Sequence, residues 1–572
     1  MVAHGKLPEK VSAAVEAAAL LNASRHGGKA EAGAVIGRIL AEFPEFRKDP
    51  SPVASAVQAA VKHVNSLSLE QQTKVLQDRH PEATTPAPRE GRRGLPPLPN
   101  ASKGRTSFRL PPEPSGYMHI GHAMAFTINY LYKVEYEGEL WLRFEDTNPR
   151  KVARRYYDSF RRDITWLGIK WDREKNVSDD MEIIYAKGET LVRDGKAYAC
   201  SCDIARVKQL RFEGIACEHR DASVERNLKT WNELLSKKHK EGEYVIRFKG
   251  DMQNTNLSLR DPNIFRVIDH SHPLTGDRYS LWPTYDVANA IEDELCGVTH
   301  VLRSSEFRNE LQQMIRDTLG LRRLEVIQFS RFNFKGTPVG KRYLRPLVEE
   351  KLVSGWDDPR MPTIQGLERR GIVPETIRNF TLQVGYTKAE HEFDWSLLMS
   401  VNRKVLDPKA RRFFFVPDPV RLHVSGAPKR SVTIPFHPDE QLGERTFDTD
   451  GDFYVPSADI KNLNPGDTFR LMDLFNVRLT SAGGKPAAKF AGDEILAGTR
   501  KLQWVLDEKN PVKVLVPGLL FDEKGEFNKE SLKEVKGLAE PSISKAAVGE
   551  IVQFPRFGFC RHDSLSTFIL SA

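Results

Sequence analysis

At 572 residues the chain is long enough for about three to five domains of about 100–200 residues each. Its 40% apolar and 28% charged residues suit several cores in a soluble protein, and a net charge of +8, modest for this length, favours an acidic partner such as RNA, with a merely solvated lysine-rich surface as the alternative. No run of about 18 apolar residues exists, which excludes a spanning helix; five cysteines exclude a disulfide framework, and Glu9, Glu16 and Glu31 argue against an import presequence. A cytoplasmic protein without a membrane partner is expected.

The N-terminal segment reads as helical. Ala32, Val35, Ile36, Ile39, Leu40 and Phe43 share one helix face, as do Val53, Val57, Ala60, Val61 and Val64, with breaks at Gly27-Gly28 and Pro50. Proline-rich linker chemistry runs from about Thr84 to Lys103 and places a boundary near residue 95. Next come a short strand, Ser107-Phe-Arg-Leu110, a Pro/Gly turn, a helix from about Gly121, a strand at Leu140–Phe144 and a basic helix over Arg150–Leu167. That succession favours a parallel sheet covered by helices. Beyond about residue 415, short β-branched and aromatic runs (Ser431–Ile434, Phe469–Met472, Val477–Leu479, Val512–Val516) suggest β-barrels.

His119-Ile-Gly-His122 sits at a helix start just after the Arg109-Leu-Pro-Pro-Glu-Pro-Ser-Gly-Tyr-Met run. Free N–H groups there suit a polyphosphate, two imidazoles three positions apart on one helix face can donate to it, and Gly121 leaves room for a base or ribose. With Leu142-Arg-Phe-Glu-Asp-Thr-Asn-Pro149, Ser354-Gly-Trp-Asp-Asp-Pro-Arg-Met-Pro-Thr363 and Val552-Gln-Phe-Pro-Arg-Phe-Gly-Phe-Cys560, the chain resembles class I aminoacyl-tRNA synthetases of the glutamyl/glutaminyl group, specifically archaeal-type glutamyl-tRNA synthetases. The resemblance covers most of the chain. It implies a multidomain α/β protein: an N-terminal helical module and linker (1–95), a Rossmann-like catalytic domain (96–200 and 281–335) interrupted by an acceptor-stem domain (201–280), a lysine loop and helical connector (336–415), and anticodon-binding β-barrels (416–572).

The resemblance also implies chemistry. His119, Gly121, His122 and Lys341 would bind ATP, the histidines and Lys341 acting catalytically on the phosphates, with Mg2+ accompanying the nucleotide. Thr337-Pro-Val-Gly-Lys-Arg342 departs from the family pattern, because Gly340 replaces a common serine and Pro338 a more flexible residue. Arg109, Glu145 and Tyr285 would contact the amino acid, Glu145 through its ammonium; an ordinary ion pair of Glu145 with Arg143 or Arg150 is the alternative. Arg303, in His300-Val-Leu-Arg-Ser-Ser-Glu306, decides the side chain: a guanidinium binds a γ-carboxylate bidentately, whereas facing the neutral amide of glutamine it would stay unpaired.

Cys200-Ser-Cys202 and Cys217-Glu-His219 offer three thiolates and one imidazole, a set that would close a structural zinc site; reduced thiols packed in a small insert are the alternative. Arg150, Lys151, Arg154, Arg155, Arg161 and Arg162 would line an RNA stem. Arg556, Phe557 and Phe559 stand among C-terminal strands suited to unstacked bases. The expected function is ATP-dependent ligation of glutamate to tRNA(Glu), with a monomer favoured and with the oligomeric state and tRNA(Gln) as a further acceptor left open. The rivals are a glutamine–tRNA ligase, which Arg303 opposes, and a non-catalytic tRNA-binding scaffold with a decayed site, which His119, His122, Lys341, Glu145 and Arg303 together oppose.

Overall fold

The structure is a computed structural model that describes residues 7–25, 27–47, 49–79 and 94–572. It divides into two compact units at residues 93/94. In the first, helices Glu9–Arg25, Ala32–Glu42, Ser51–Val64 and Leu69–Arg79 enclose a core that includes Val15, Leu20, Val35, Ile39, Val53, Val57 and Val64. Gly27 and Gly28 both take positive φ, 64° and 90°, and turn the chain between the first two helices. The linker proposed for Thr84–Lys103 lies outside the described residues as far as Arg93.

In the second unit, β1 (Ser107–Leu110), β2 (Glu139–Phe144) and β3 (Arg173–Asn176) form a parallel sheet, and β8 (His300–Ser304) pairs in parallel with β9 (Glu325–Phe329). The Thr299 amide donates to the Ser107 carbonyl at 3.0 Å and seats β8 beside β1. The spatial order β3-β2-β1-β8-β9 thus reverses direction between β1 and β8, the place where doubly wound sheets open a ligand crevice. The helices Ile120–Glu135 and Arg154–Trp166 cover the sheet with Ile120, Met124, Ile128, Tyr157 and Phe160. Arg150 and Lys151, expected on the second helix, lie in the turn before it; the chain enters helical geometry only after Ala153, which is extended (φ −149°).

Between β3 and β8 the chain builds an antiparallel sheet of β4 (Ala197–Cys200), β5 (Val245–Phe248), β6 (Asn263–Val267) and β7 (Leu281–Pro283) over Trp231, Phe265 and Trp282. The C-terminal region holds two six-stranded sheets. In one, Tyr454 and Val505 exchange both backbone hydrogen bonds (2.8 and 3.0 Å) across the outer strands; in the other, Phe413 and Gln553 donate to Gln553 and Arg411 (both 2.9 Å). These bridges curl both sheets into barrels, removing free edges. The turn after Pro511–Pro517 reaches back from the second barrel, so that Leu520 and Phe521 pack on Leu344 and Leu347 of the Lys341–Glu349 helix.

Candidate active site

His119 caps the Ile120–Glu135 helix in an extended conformation (φ −121°), placing its side chain before the helix rather than on its face. Its ring stacks on His122 at 3.8 Å, and its backbone amide donates to His122 Nδ1 at 3.4 Å. Both histidines are half-buried. Burial, then the neighbouring histidine and Lys341, holds His119 well below its ordinary value. Burial, with Lys341, brings His122 down to about 4. His119 Nδ1 is buried without a partner. The space over Gly121 is not open as the sequence suggests, because a Cβ there would lie 3.1 Å from His119 Cε1.

Lys341, the first residue of its helix, folds onto the signature turn and donates to both the backbone carbonyl and the hydroxyl of Ser115. A Cβ at Gly116 would collide with its side chain. Burial lowers the Lys341 pKa. Beside it opens a cavity of about 600 Å³ whose lining includes Arg150, Lys151, Arg155, Arg342 and Arg345, with Glu113 its one carboxylate. Such a cationic wall beside a helix N-terminus can take a polyphosphate.

The second half of the site lies between β1 and β8. Arg109 of β1 is fully buried; its Nε donates to Asp293 Oδ1 at 3.1 Å, while Nη1 and Nη2 have no partner. Arg143 of β2 also reaches Asp293 (2.8 Å) and meets Glu145 Oε1 at 2.9 Å. Glu145 is therefore ion-paired with Arg143, on one oxygen only. Burial pushes the Glu145 carboxyl up, with Arg143 and Arg109 opposing. Burial also pushes Asp293 up, but Arg109 and Arg143 more than offset it and leave its carboxyl below the ordinary value.

Arg303 of β8 is buried and donates to Gln312 Oε1 at 2.6 Å and Asn309 Oδ1 at 3.2 Å, two uncharged acceptors, while its Nε has none. Tyr285 begins the Tyr285–Leu295 helix and faces this group across Phe307, its ring 5.2 Å from the phenyl ring. Burial raises the Tyr285 phenol and lowers the Arg303 guanidinium. The pocket thus sets three guanidiniums, of Arg109, Arg143 and Arg303, against two carboxylates, of Glu145 and Asp293. Among these five groups one positive charge remains over; the buried Glu292 carboxyl, which also acts on Arg143, pairs with Lys175 at 2.9 Å.

Away from this crevice, Asp203 caps the Ile204–Glu213 helix through the Arg206 amide, and Gly214, at φ 74°, ends it and turns the chain back. That return brings Cys217 and His219 under Cys200 and Cys202, with all four ligand atoms within 4.8 Å of one another. The Cys200 and Cys217 sulfurs are 3.9 Å apart, and His219 Nδ1 lies 4.0 Å from Cys200 Sγ and 3.4 Å from Cys202 Sγ. A tetrahedral site with bonds of roughly 2.3 Å has edges of about 3.8 Å, so the donor set fits zinc.

The family description "tRNA synthetases class I (E and Q), catalytic domain" matches residues 105–408, and the corresponding anticodon-binding domains match 410–490 and 501–563. A glutamate–tRNA ligase of Nitrosopumilus maritimus is 40% identical over 99% of this chain and 100% of its own length. The chain belongs to the class I tRNA synthetases of the E and Q group. A glutamate–tRNA ligase of Pyrococcus furiosus is also 40% identical, over 96% of both chains. A crystal structure of a glutamate tRNA ligase from Elizabethkingia meningosepticum overlaps 53% of this chain and 70% of that one at 20% identity and a TM-score of 0.40, too loosely to carry an argument.

In this synthetase the fold gathers His119, His122 and Lys341 into one cluster and Arg109, Glu145, Tyr285 and Arg303 into another. Cys200, Cys202, Cys217 and His219 form a third. Sequence reasoning missed Ser115, Asn289, Asp293 and Gln312. Asn289 and Asp293 follow Tyr285 by four and eight residues, one face of the same helix, and that spacing was the available signal. With its amide oriented to satisfy both ends, Asn289 accepts from Arg143 Nη2 (2.8 Å) and donates to Asp293 Oδ2 (3.2 Å) and Gln312 Oε1 (3.3 Å).

Proposed function

We propose that this synthetase activates L-glutamate with MgATP and transfers it to tRNA(Glu), with the residues above in the following roles. The observation that carries the amino-acid choice is the pocket's charge. Glutamate brings one ammonium and two carboxylates, a net of −1 that cancels the surplus positive charge, whereas glutamine would leave a buried cation unpaired.

Glu145 holds Oε2 free for the substrate ammonium, and the unpartnered Nη groups of Arg109 and the guanidinium of Arg303 take substrate carboxylate oxygens. An α-carboxylate oxygen attacks the α-phosphorus of ATP; the α,β-bridging P–O bond breaks and pyrophosphate leaves with that electron pair. His119, His122 and Lys341 steady the phosphates as charge moves to the leaving group, which requires Lys341 to exchange Ser115 for phosphate oxygens. The terminal ribose 2′-hydroxyl of tRNA then attacks the adenylate carbonyl, giving the ester, AMP and a proton.

Cys200, Cys202, Cys217 and His219 would hold one zinc ion, which with four protein ligands is structural. The Ile204–Glu213 helix buries none of its own residues, so a metal crosslink supplies what core packing does not. The protein works in the cytoplasm.

Aminoacylation with labelled glutamate and, separately, glutamine on transcripts of both tRNAs is the test. Glutamate transfer, falling by about 10³-fold or more in Arg303→Ala, is expected. Transfer to tRNA(Gln) as well would show relaxed acceptor choice. Glutamine transfer would refute the charge argument, and tRNA binding with no transfer would support a scaffold.

A further inference from the structure

We infer that Gln312 is the positioning residue behind the choice of glutamate over glutamine: it aims its amide oxygen at Arg303 under the control of the Asp286–Arg308 ion pair. The inference rests on the reading of this pocket as the amino-acid site. Gln312 touches neither substrate nor nucleotide in that reading and acts through Arg303.

The contacts run in series. Arg308, half exposed at the start of the Asn309–Thr318 helix, places Nη2 3.2 Å from Asp286 Oδ2. The other oxygen, Oδ1, accepts from Gln312 Nε2 at 3.1 Å. Gln312 Oε1 then accepts from Arg303 Nη1 at 2.6 Å. Asp286, Gln312 and Arg303 are all buried.

An amide can present either end, and its NH2 end would repel a guanidinium. A carboxylate accepts only, so Asp286 forces the Gln312 NH2 toward itself and the oxygen toward Arg303. The Asn289 amide, donating to the same oxygen at 3.3 Å, reinforces that orientation.

The order of charges matters as much as the orientation. Asp286 spends its charge on Arg308, and a neutral amide stands between it and Arg303. Arg303 is thereby oriented without being neutralised, and the anion it lacks must come from the substrate. A carboxylate at position 312 would supply that anion permanently.

The test is ATP–pyrophosphate exchange by the full chain with tRNA present, at varied glutamate and varied glutamine. The ATP KM and the melting temperature serve as controls. Gln312→Glu is expected to lower kcat/KM for glutamate by about 10²–10³-fold, chiefly through KM, and to lower the glutamate-to-glutamine ratio by at least as much. Gln312→Met removes the aim without adding charge and is expected to raise the glutamate KM about tenfold with a smaller change in that ratio.

Equal losses in the two variants with an unchanged ratio would make Gln312 a packing residue and overturn the inference, as would wild-type behaviour. Should Gln312→Glu fail to fold, Arg308→Gln at the half-exposed end decides: a raised glutamate KM with the ATP KM unchanged supports the relay, and an unchanged glutamate KM overturns it. A wild-type chain that activates neither amino acid would instead remove the glutamate reading itself.

Discussion

Buried arginines normally sit against carboxylates, because an unpaired charge in a low-dielectric site is expensive. Arg109 and Arg143 follow that rule through Asp293, and Arg303 does not, which is why the proposed substrate choice rests on it. The stacked histidines illustrate the same physics with the opposite outcome. Burial near a lysine keeps His122 neutral, with its pKa moved from 6.5 to about 4. The unfolded chain then binds more protons than the folded one between those values, so the contribution of His122 to stability is complete above pH 6.5 and is lost as pH falls toward 4. On this basis His122→Asn should flatten the acid limb of the melting profile, removing a loss on the order of 3 kcal/mol over that window. Parallel acid limbs for both proteins would show that His122 is not held neutral in the folded chain. Bound phosphates supply the missing anion, so ATP should shift the wild-type limb to lower loss.

At the scale of elements, the region between β4 and β5 depends on a few clamps. Arg247 places Nη1 3.6 Å from Cys217 Sγ and 3.9 Å from Cys200 Sγ, where its charge would offset that of thiolates holding the proposed zinc. Asn256 donates to Glu310 at 2.7 Å, linking the following loop to the helix that presents Asn309 and Gln312. One zinc per chain is expected by mass spectrometry, and Cys217→Ser should abolish it and lower the melting temperature by several degrees, a loss of about 2–4 kcal/mol. The glutamate KM should rise modestly through the Asn256 link. Metal-replete protein that contains no zinc, and shows no thiolate-to-metal band with cobalt, would leave these cysteines as packed thiols. The Lys341–Glu349 helix is held in the same economical way, by Leu520 and Phe521 of the second barrel's turn rather than by a large core of its own.

For the whole molecule, the surplus of +8 is small, but the cavity beside Lys341 concentrates Arg150, Lys151, Arg155, Arg342 and Arg345 on one wall. If tRNA neutralises several of these, its KM should rise by about tenfold or more between about 50 and 200 mM salt, while the ATP KM changes far less. Equal salt dependence of both would place tRNA elsewhere. No helix among the described residues is long and apolar enough to cross a membrane. The first unit carries its own core of Val, Leu, Ile and Ala side chains.

Much of this was legible before any coordinates. The Arg109–His122 run, Glu145, Lys341 and Arg303 each sit in a short motif, and strand patterning located β1, β2 and four of the C-terminal strands within a residue or two. The four zinc-type ligands were readable because they lie within twenty positions of one another. Local sequence carries such information because caps, turns and hydrophobic periods act over a few residues. Which charges are left over is a different kind of fact. Asp293 pairs with Arg109 across 184 positions, and Gln312 meets Asp286 across 26. Neither Gly121's covered face nor the place of Arg150 before its helix follows from spacing. Sequence alone determined which chemical groups the protein brings to its site; only the tertiary structure decided which of them neutralise one another, because electrostatic pairing depends on distance in space and on burial, and both are set by packing between segments far apart in the chain.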